Sequence, residues 1–391
     1  MSWKDHFGFS DRLQAIQSLT TAYQQTNSSA AFADALASAK KCEAEAYDKA
    51  GSKEEYDSIR QRAIDTAERE SSSDSAIHDS NHAQDENEEF ESSPGEVIGE
   101  YTSCFPHFDG LHSTIYRSKG SDGVVAAVKV TVPHMMTAPH DAHREARLLR
   151  EAHHPNVMPL KDTFNLDGGR FVLVFPFVRY DFEHLLRRDM VTASQIRSIL
   201  RDMFIALSHI HALGIIHRDI KPSNILMNSP NGPAYLADFG ISWKESDAGS
   251  EAPAEKITDV GTTCYRPPEI LFGQKAYGTA LDIWAAGCVV AEAIAVGHRQ
   301  LFDSGPIGSD LSLIFSIFKL MGTPDEERWP EVSVLPDWGK VEFHKFPPQA
   351  WEDILPGVSS KGRDLVSHLL CYESSQRPSA LKALDHAYFA S

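Results

Sequence analysis

The stretch that decides the fold is HRDIKPSN at residues 217–224, which is followed by DFG at 238–240. It places a carboxylate at Asp219, a cation at Lys221 and an amide at Asn224 in one short loop, and the DFG aspartate adds a second carboxylate. A rigid loop with this spacing can direct its side chains at one phosphate and one hydroxyl. The stretch therefore predicts metal-assisted phosphoryl transfer.

Together with the elements around it, this stretch resembles the eukaryotic protein kinases. The resemblance covers residues 97–391 and implies an α+β, two-lobed fold with a β-rich N-lobe and an α-rich C-lobe. It implies that Asp219 accepts or orients the proton of the substrate hydroxyl and that Lys221 neutralises charge on the moving phosphoryl group. Asn224 and Asp238 would hold magnesium, so the implied cofactors are ATP and Mg²⁺.

An upstream lysine and glutamate fit the same resemblance. VAAVKV at 125–130 reads as a buried strand, and Lys129 stands where a kinase lysine reaches the α- and β-phosphates. Glu145 follows sixteen residues later, in HREARLLREAHHPNV, which is the spacing of the ion pair between that lysine and a helical glutamate. The resemblance also predicts that Glu269 and Arg377 form a buried ion pair between the activation segment and the C-lobe.

The adenine pocket is expected around RFVLVFPFVRYD at 170–181, which reads as a strand entering the hinge between the lobes. By resemblance Phe175 is the gatekeeper, the backbone of 176–178 faces adenine and Asp181 is placed for the ribose. These assignments depend on the register of the alignment, because several of the residues are ordinary core residues. The implied nucleotide-binding residues are Gly110, Ile115, Ala127, Lys129, Phe177, Val178, Asp181 and Leu226.

Three further segments narrow the resemblance to the cyclin-dependent kinase family. PHDAHRE at 139–145 parallels the cyclin-contacting helix, and YRPPEILFG at 265–273 parallels the segment after the activation loop. FSIFKLMGTPDEERWPEV at 315–332 parallels an insert typical of this group. The implied activity is transfer of phosphate to serine or threonine of protein substrates. Arg266 permits a preference for proline after the target residue, and Gly261, where the group often has valine, leaves that preference open.

The glycine-rich loop departs from the family pattern. Aligning FDGLHSTIY at 108–116 leaves only Gly110, with Phe108 and Ser113 at the outer glycine positions. Backbone amides approach phosphates closely only where side chains stay out of the way, so weaker nucleotide binding is expected. A pseudokinase scaffold is therefore one alternative function, although the metal-binding and base residues are intact.

The activation segment departs as well. Ile257 stands at the position of the usual phosphothreonine, with Thr258 beside it. Of the three arginines that would bind the phosphate, Arg144 and Arg218 are present and Trp243 replaces the third. An enzyme that is active without this modification is the expected consequence.

The cyclin-contacting helix is the third departure, because His140, Asp141 and His143 replace hydrophobic and small residues. A cyclin partner is therefore uncertain. Together the departures resemble fungal single-subunit kinases that activate other cyclin-dependent kinases without a cyclin, which makes such kinases the candidate substrates. The other alternative is a cyclin-requiring kinase that an N-terminal module recruits to transcription factors.

That N-terminal module is predicted over residues 1–70 as a small three-helix bundle. Its periodicity and caps place helices after Ser10, around 32–47 and from Ser52, where Ser52 and Glu55 form a capping box. The segment AFADALASAKKCEAEAYDKAGSKEEYDSIRQ at 31–61 resembles a KIX domain. This resemblance implies a groove for an amphipathic activation-domain helix. The alternative is an unrelated helical bundle. The residues that carry the resemblance are Trp3, Lys40, Lys41, Glu43, Tyr47, Ala50, Ser52, Glu55 and Tyr56.

Residues 71–96 are acidic and serine-rich, contain no lysine or arginine, and are predicted to be a disordered linker. The formal net charge of -18 for the whole chain argues against nucleic-acid and anionic-membrane partners. No long apolar run predicts a membrane span, and the five scattered cysteines predict neither zinc nor disulfides. The expected location is the nucleus and cytoplasm.

Overall fold

The computed structural model describes residues 52–74, 95–110, 113–120, 123–305 and 308–390, with Leu19, Ala39, Cys42, Ala46, Tyr47, Lys49 and Ala50. The chain divides into two units, Met1–Pro94 and Gly95–Ser391. Their boundary lies inside the segment that the sequence predicts as a linker.

The first unit contains helix α1 (Lys53–Asp74). It begins where the capping residues predict, because the Glu55 backbone N–H donates to the Ser52 hydroxyl at 3.2 Å. The helix continues through Asp74, four residues into the predicted linker, and the first strand of the second unit begins at Glu96. The first four residues of the predicted linker are therefore helical, because serine and aspartate have only slightly lower helix propensity than the residues before them. Residues 75–94 lie outside the described residues, so the linker itself stays a prediction.

A small apolar cluster lies at the start of α1. Tyr56 is buried with Ala46 and Ala50, and its ring meets the Tyr47 ring edge to face at 6.4 Å. Most of the first two predicted helices lies outside the described residues, and so do Trp3, Lys40, Lys41 and Glu43 of the KIX resemblance. The KIX-like bundle stays a prediction.

The second unit opens with an antiparallel sheet in the order β1-β2-β3-β4-β6-β5. Its apolar face is a cluster of alternating side chains that includes Val128, Val172 and Val174. The register pairs Ile115 with Lys129 and Ala127 with Phe175, which places the predicted nucleotide-binding residues on neighbouring strands. The strands are β1 (Glu96–Ile98), β2 (Tyr101–Asp109), β3 (Ser113–Lys119), β4 (Val125–Thr131), β5 (Asp162–Leu166) and β6 (Arg170–Pro176).

Helix α2 (Ala142–Glu151) belongs to this lobe and carries Glu145 on its buried face. Its N-terminus is capped by Asp141, whose carboxylate accepts from the Arg144 backbone N–H at 2.9 Å. Asp141 is thus a helix cap, a role that its position in the cyclin-contacting segment does not reveal.

The helical lobe packs around α6 (Ala280–Ile294), whose side chains from Leu281 to Ala293 are all buried. A helix that is buried on every face is surrounded by protein, so α6 forms the centre of this lobe. Short strands between Tyr180 and Lys244 form a three-stranded and a two-stranded sheet.

The remaining α-helices in the described part of the second unit are α3 (Phe182–Arg187), α4 (Ala193–Ala212), α5 (Pro268–Leu271), α7 (Asp310–Met321), α8 (Trp351–Ile354), α9 (Ser360–Leu369) and α10 (Ala380–Leu384). The remaining strands are β7 (Tyr180–Asp181), β8 (Ile215–Ile216), β9 (Ile225–Met227), β10 (Ala234–Leu236) and β11 (Trp243–Lys244). Among the described residues, no helix combines the length and apolar character that a membrane crossing requires. The predicted α+β, two-lobed fold is confirmed for the second unit.

Candidate active site

One buried carboxylate holds the loop between β8 and β9. Asp282 of α6 accepts hydrogen bonds from the backbone N–H groups of His217 at 2.8 Å and Arg218 at 2.9 Å. The Nε2 atom of His211 lies 2.8 Å from the same carboxylate. Hydrogen bonds between buried partners of this kind fix the backbone of the loop. The bonds to Asp282 therefore also fix the direction of the next side chain, Asp219.

His217 connects this loop to the DFG segment. Its Nε2 lies 3.0 Å from the carbonyl oxygen of Ala237, and its ring meets the Phe239 ring at 4.8 Å. Burial lowers the pKa of His217, so the imidazole is neutral at neutral pH. Neither His217 nor Phe239 lines the cleft described below, so their contact is a packing contact between the loop and the DFG segment.

The Asp219 carboxylate lies at the centre of a polar network. Lys221 Nζ is 2.9 Å from Asp219 Oδ2, and Asn224 Nδ2 donates to the Asp219 backbone carbonyl at 2.8 Å and to Oδ2 at 3.1 Å. Thr262 donates to Oδ1 from its backbone N–H at 3.0 Å and from its hydroxyl at 2.9 Å. Lys221 Nζ also donates to the Thr262 hydroxyl at 2.9 Å. The structure thus brings together three predicted site residues and adds Thr262, which the sequence does not assign to the site.

A second ionic group joins the two lobes. Lys129 Nζ lies 2.8 and 2.9 Å from the Glu145 carboxylate oxygens and 3.1 Å from Asp238 Oδ1. Burial alone would lower the pKa of Lys129, but the Asp238 and Glu145 carboxylates raise it above its ordinary value. The Lys129 ammonium also holds the pKa of Asp238 well below its usual range. The predicted ion pair between Lys129 and Glu145 is confirmed.

Between the lobes lies a cleft of about 490 Å³. Its lining includes most of the predicted nucleotide-binding and ionic residues, namely Ile115, Ala127, Lys129, Glu145, Phe177, Val178, Asp181, Lys221, Asn224, Leu226 and Asp238. A cleft of this volume that is lined by both apolar and charged side chains suits a nucleoside triphosphate.

Two of the predicted binding residues deviate in detail. Gly110 lies outside the lining of the cleft, because its backbone N–H bonds to the Ser113 carbonyl at 2.8 Å across the turn between β2 and β3. Phe108 and Ser113 line the cleft instead. Asp181 does line it, but one of its oxygens caps α3 by accepting from the His184 backbone N–H at 2.7 Å.

Other lining residues are not predicted by the sequence. Met158 is buried at the back of the cleft beside the backbone bridge between Val157 and Leu236, and His107 packs against Phe177 at 5.3 Å. The only sequence signal for His107 is its place next to Phe108, at the start of the altered glycine-rich loop.

Two of the lining residues have the right chemistry for magnesium. The Asp238 carboxylate is half exposed to the cleft. Asn224 uses Nδ2 for both of its bonds to Asp219, so its Oδ1 is the atom that can ligate a cation. Carboxylate and amide oxygens are the ligands that Mg²⁺ prefers, so these residues fit the ion.

The activation segment next to Asp219 turns at Gly261. This residue has φ +74°, and its carbonyl accepts from Arg266 Nε at 3.1 Å. A Cβ at this position would lie 2.5 Å from the Arg218 carbonyl oxygen, so both the conformation and the space require glycine. The family's usual valine is therefore excluded by this backbone arrangement.

The end of the segment is fixed by the predicted pair between Glu269 and Arg377. The two side chains are buried and make two parallel bonds of 2.6 and 2.8 Å. Arg377 also donates to three backbone carbonyls, so both ions are fully paired. This prediction is confirmed.

A bilobal fold with these two ionic groups facing one cleft defines a protein kinase. The family model for the protein kinase domain matches residues 109–389. The serine/threonine-protein kinase csk1 of Schizosaccharomyces pombe is 38% identical over 245 residues, which are 62% of this chain and 78% of that protein. Cyclin-dependent kinase 20 of Danio rerio is 34% identical over 287 residues, which are 72% of this chain and 80% of that protein.

A solved structure is also similar. A chain from the crystal structure of the yeast RNA Pol II CTD kinase CTDK-1 complex aligns with a TM-score of 0.65 at 28% identity, covering 76% of this chain and 95% of that one. The chain therefore belongs to the protein kinase family, as a serine/threonine kinase of the cyclin-dependent kinase family. Members of this family use ATP with Mg²⁺.

Proposed function

We propose that Asp219 accepts or orients the proton of a protein serine or threonine hydroxyl while the γ-phosphate of ATP is transferred to it. The supporting observation is the network in which Lys221 and Thr262 both contact the Asp219 carboxylate, at 2.9 Å each. Burial would lower the pKa of Lys221, but the Asp219 carboxylate raises it above its ordinary value. Lys221 is therefore a cation beside the position of the transferred phosphoryl group.

The second ionic group positions the nucleotide in this proposal. Lys129 would contact the α- and β-phosphates, with Glu145 holding its ammonium in the cleft. Asn224 and Asp238 would hold magnesium, which supplies electrostatic stabilisation of phosphate charge when bound. The intact set of ionic residues argues against the pseudokinase alternative, even though Phe108 and Ser113 replace glycines.

A preference for proline after the target residue is also proposed. The Gly261 carbonyl is bonded to Arg266, so it is not available to accept the backbone N–H of a bound substrate. A proline lacks that N–H and leaves no donor unpaired. Paired peptides that differ only in proline or alanine after the serine test this point, and equal values of kcat/KM for the two would contradict it.

We further propose that this kinase acts as a single subunit on the activation segments of other cyclin-dependent kinases. The support is that α2 is held against the cleft by contacts within the chain. Glu145 pairs with Lys129, and Arg147 pairs with Asp247 of the activation segment at 2.7 and 2.9 Å. The exposed His143 packs on Phe171 at 4.3 Å, so the outer face of α2 presents a polar ring where a cyclin would need apolar side chains.

The test is ATP-dependent phosphorylation of a catalytically inactive cyclin-dependent kinase by the cyclin-free, full-length protein made in bacteria. Asp219→Asn serves as the inactive control, and a substrate with alanine at its activation-segment threonine serves as the matched substrate control. Phosphate at that threonine is the expected result. Phosphorylation of small peptides without phosphorylation of the kinase substrate would contradict the activating role and leave the kinase assignment intact. A strict need for added cyclin would favour the cyclin-requiring alternative.

For residues 1–70 we propose a docking function for an amphipathic helix of a partner protein. The support is the capped helix α1 and the buried Tyr56 cluster at its start. Removing residues 1–94, the whole first unit, is the appropriate deletion because α1 continues to Asp74. Peptide phosphorylation should survive this deletion while phosphorylation of a docked protein falls; loss of both would contradict the modular picture.

A further inference from the structure

The activation segment is fastened to helix α2 along several residues. Asp247 accepts two hydrogen bonds from the Arg147 guanidinium, and the Gly249 carbonyl accepts from Arg144 at 2.7 Å. Lys244 forms an ion pair with Glu151 near the end of the helix. These contacts lie on the same helix that presents Glu145 to Lys129. The position of α2 is therefore coupled to the path of the segment.

One carboxylate of this segment reaches the catalytic loop. Glu251 accepts from Arg218 through both guanidinium NH groups, at 3.1 and 3.3 Å. Arg218 immediately precedes Asp219, has φ +73° and a fully buried side chain. The left-handed conformation of an arginine costs free energy and persists only where its surroundings hold it. Glu251 is the anion that pairs with this arginine.

Buried positive charge accumulates at the same place. Arg144 and Arg218 are both buried. Burial lowers the pKa of Arg144, and repulsion by the nearby Arg218 charge lowers it further. Lys256 is buried as well, with its ammonium 4.5 Å from the Trp243 ring and 5.2 Å from the Tyr277 ring. Buried cations of this kind need a nearby anion.

Glu251 supplies that anion as part of the chain. Burial would raise the pKa of Glu251, yet a backbone hydrogen bond and the Arg218 and Arg144 charges lower it, so the side chain is ionised at neutral pH. Its backbone carbonyl accepts from Trp243 Nε1 at 2.9 Å, which ties the residue to the ring that replaces the third arginine. Ile257, at the usual phosphothreonine position, packs with Trp243 in an apolar cluster. The place of a phosphate is thus filled by an apolar contact and a carboxylate.

We propose that Glu251 is a positioning residue that neutralises Arg218 and Arg144 and thereby holds the catalytic loop, the activation segment and α2 in their working arrangement with no phosphate on the segment. It acts on Asp219 through Arg218 and on Glu145 through Arg144. The proposal rests on the phosphotransfer function above but not on the identity of the protein substrate.

The test compares Glu251→Gln, Glu251→Asp and Glu255→Gln in the full chain made in bacteria, with mass spectrometry verifying that residues 241–262 carry no phosphate. Glu255 is the matched control because it lies in the same segment but pairs with Lys275 at the exposed surface. Two readouts are used: kcat and KM for ATP on a degenerate mixture of serine and threonine peptides, and hydrogen–deuterium exchange of residues 142–151 and 241–262.

Glu251→Gln should lower kcat by roughly tenfold or more while the KM for ATP changes by less than about twofold. Exchange in both segments should become faster. Glu251→Asp should recover part of kcat, because it restores the charge, and Glu255→Gln should match the wild type in both readouts. A merely structural role would instead reduce the fraction of folded enzyme and leave kcat per folded molecule unchanged.

Wild-type kcat and exchange in Glu251→Gln would overturn the proposal, as would loss of activity that follows the folded fraction alone. A wild type that phosphorylates none of the peptides would count against the proposed function instead. In that case the exchange comparison still decides whether Glu251 holds the two segments.

Discussion

The two charged groups on either side of the catalytic loop are built in opposite ways. The group at the cleft is rich in anions: Glu145 and Asp238 pair with Lys129, and Asp219 pairs with Lys221. The group behind the loop is rich in cations, with the buried Arg144, Arg218 and Lys256 around Glu251.

The difference indicates what each group lacks. An excess of carboxylates in an open cleft is suited to a divalent cation and its nucleotide, so the first group is completed by ligand. The second group is buried and has acceptors for its two arginines within the chain, in the Glu251 carboxylate and the Gly249 carbonyl. The first group therefore serves catalysis and the second holds the backbone in place, and the two groups share one loop, His217 to Asp219.

The largest effect is expected in the cleft. Asp219→Asn should lower kcat by roughly a thousandfold, because the amide cannot accept the hydroxyl proton. Stability should fall by about 1–3 kcal/mol, because Oδ1 can still accept from Thr262 but the new Nδ2 meets two donors, Lys221 Nζ and Asn224 Nδ2. Peptide phosphorylation, thermal unfolding and ATP binding measure the three properties. Turnover close to that of the wild type would show that Asp219 is not the base.

The next largest effect is expected where the two groups meet. Gly261→Ala should lower kcat by roughly tenfold and the free energy of unfolding by about 1–3 kcal/mol, because a Cβ there would lie 2.5 Å from the Arg218 carbonyl in a left-handed conformation. Gly297→Ala is the matched control: this glycine has φ +77°, but a Cβ added to it would meet no atom within 4 Å. Similar losses of activity in both variants would mean that backbone conformation alone, and not the contact with Arg218, is responsible.

A smaller effect is expected from the exposed part of the second group. Arg147 is about half exposed, so Arg147→Ala should change stability by less than about 1 kcal/mol and kcat by less than about threefold. The Asp247 side chain is only 8% exposed, so Asp247→Asn should cost more, about 1–3 kcal/mol. A double-mutant cycle on urea unfolding and on kcat measures the coupling between the two residues. A coupling as large as the effect of Glu251→Gln would contradict the distinction between buried and exposed ion pairs in this group.

The sequence predicts the cleft better than the region behind the loop, and the reason is physical. Asp219, Lys221 and Asn224 occur in a motif whose spacing is fixed by one rigid loop, and Asp238 belongs to a second motif, DFG, that the resemblance places beside it. The pairing of Lys129 with Glu145 is implied by the resemblance, through the spacing between the strand and the helix that carry them. Only the alignment assigns Gly110 to the cleft, and the turn at that position directs Phe108 and Ser113 there instead.

The contact between Glu251 and Arg218 is not predictable from the sequence, because the two residues are 33 positions apart and lie on a loop whose length is not set by any repeat. Counting back along the segment gives Ile257 at the phosphothreonine position and does not reveal which upstream side chain reaches the arginines. The contact of Thr262 with Asp219 is not predictable for a similar reason, because a single threonine in a loop does not indicate which residues lie beside it in the fold. The end of α1 at Asp74 shows that composition alone sets a linker boundary poorly.

The smallest effect on catalysis is expected from a carboxyl that belongs to neither group. Glu292 is buried in α6 and accepts from the Tyr265 hydroxyl at 2.7 Å. Burial raises the pKa of Glu292 from 4.5 to about 7; the Tyr265 bond and Arg187 oppose this shift and Glu183 adds to it. Because the folded-state pKa is raised, the contribution of this group to stability is present below pH 4.5 and is lost as the pH rises towards 7.

Glu292→Gln removes that titration and should leave kcat unchanged. The free energy of unfolding of the wild type relative to this variant should therefore fall by an amount on the order of 3 kcal/mol between pH 4.5 and 7. Urea unfolding of both proteins across this range measures the difference, with peptide phosphorylation at pH 7 as the check on activity. Parallel stability curves would mean that the carboxyl is ionised throughout. Glu292 would then resemble the paired carboxylates of the two charged groups, and the cation that pairs with it would have to be sought around α6.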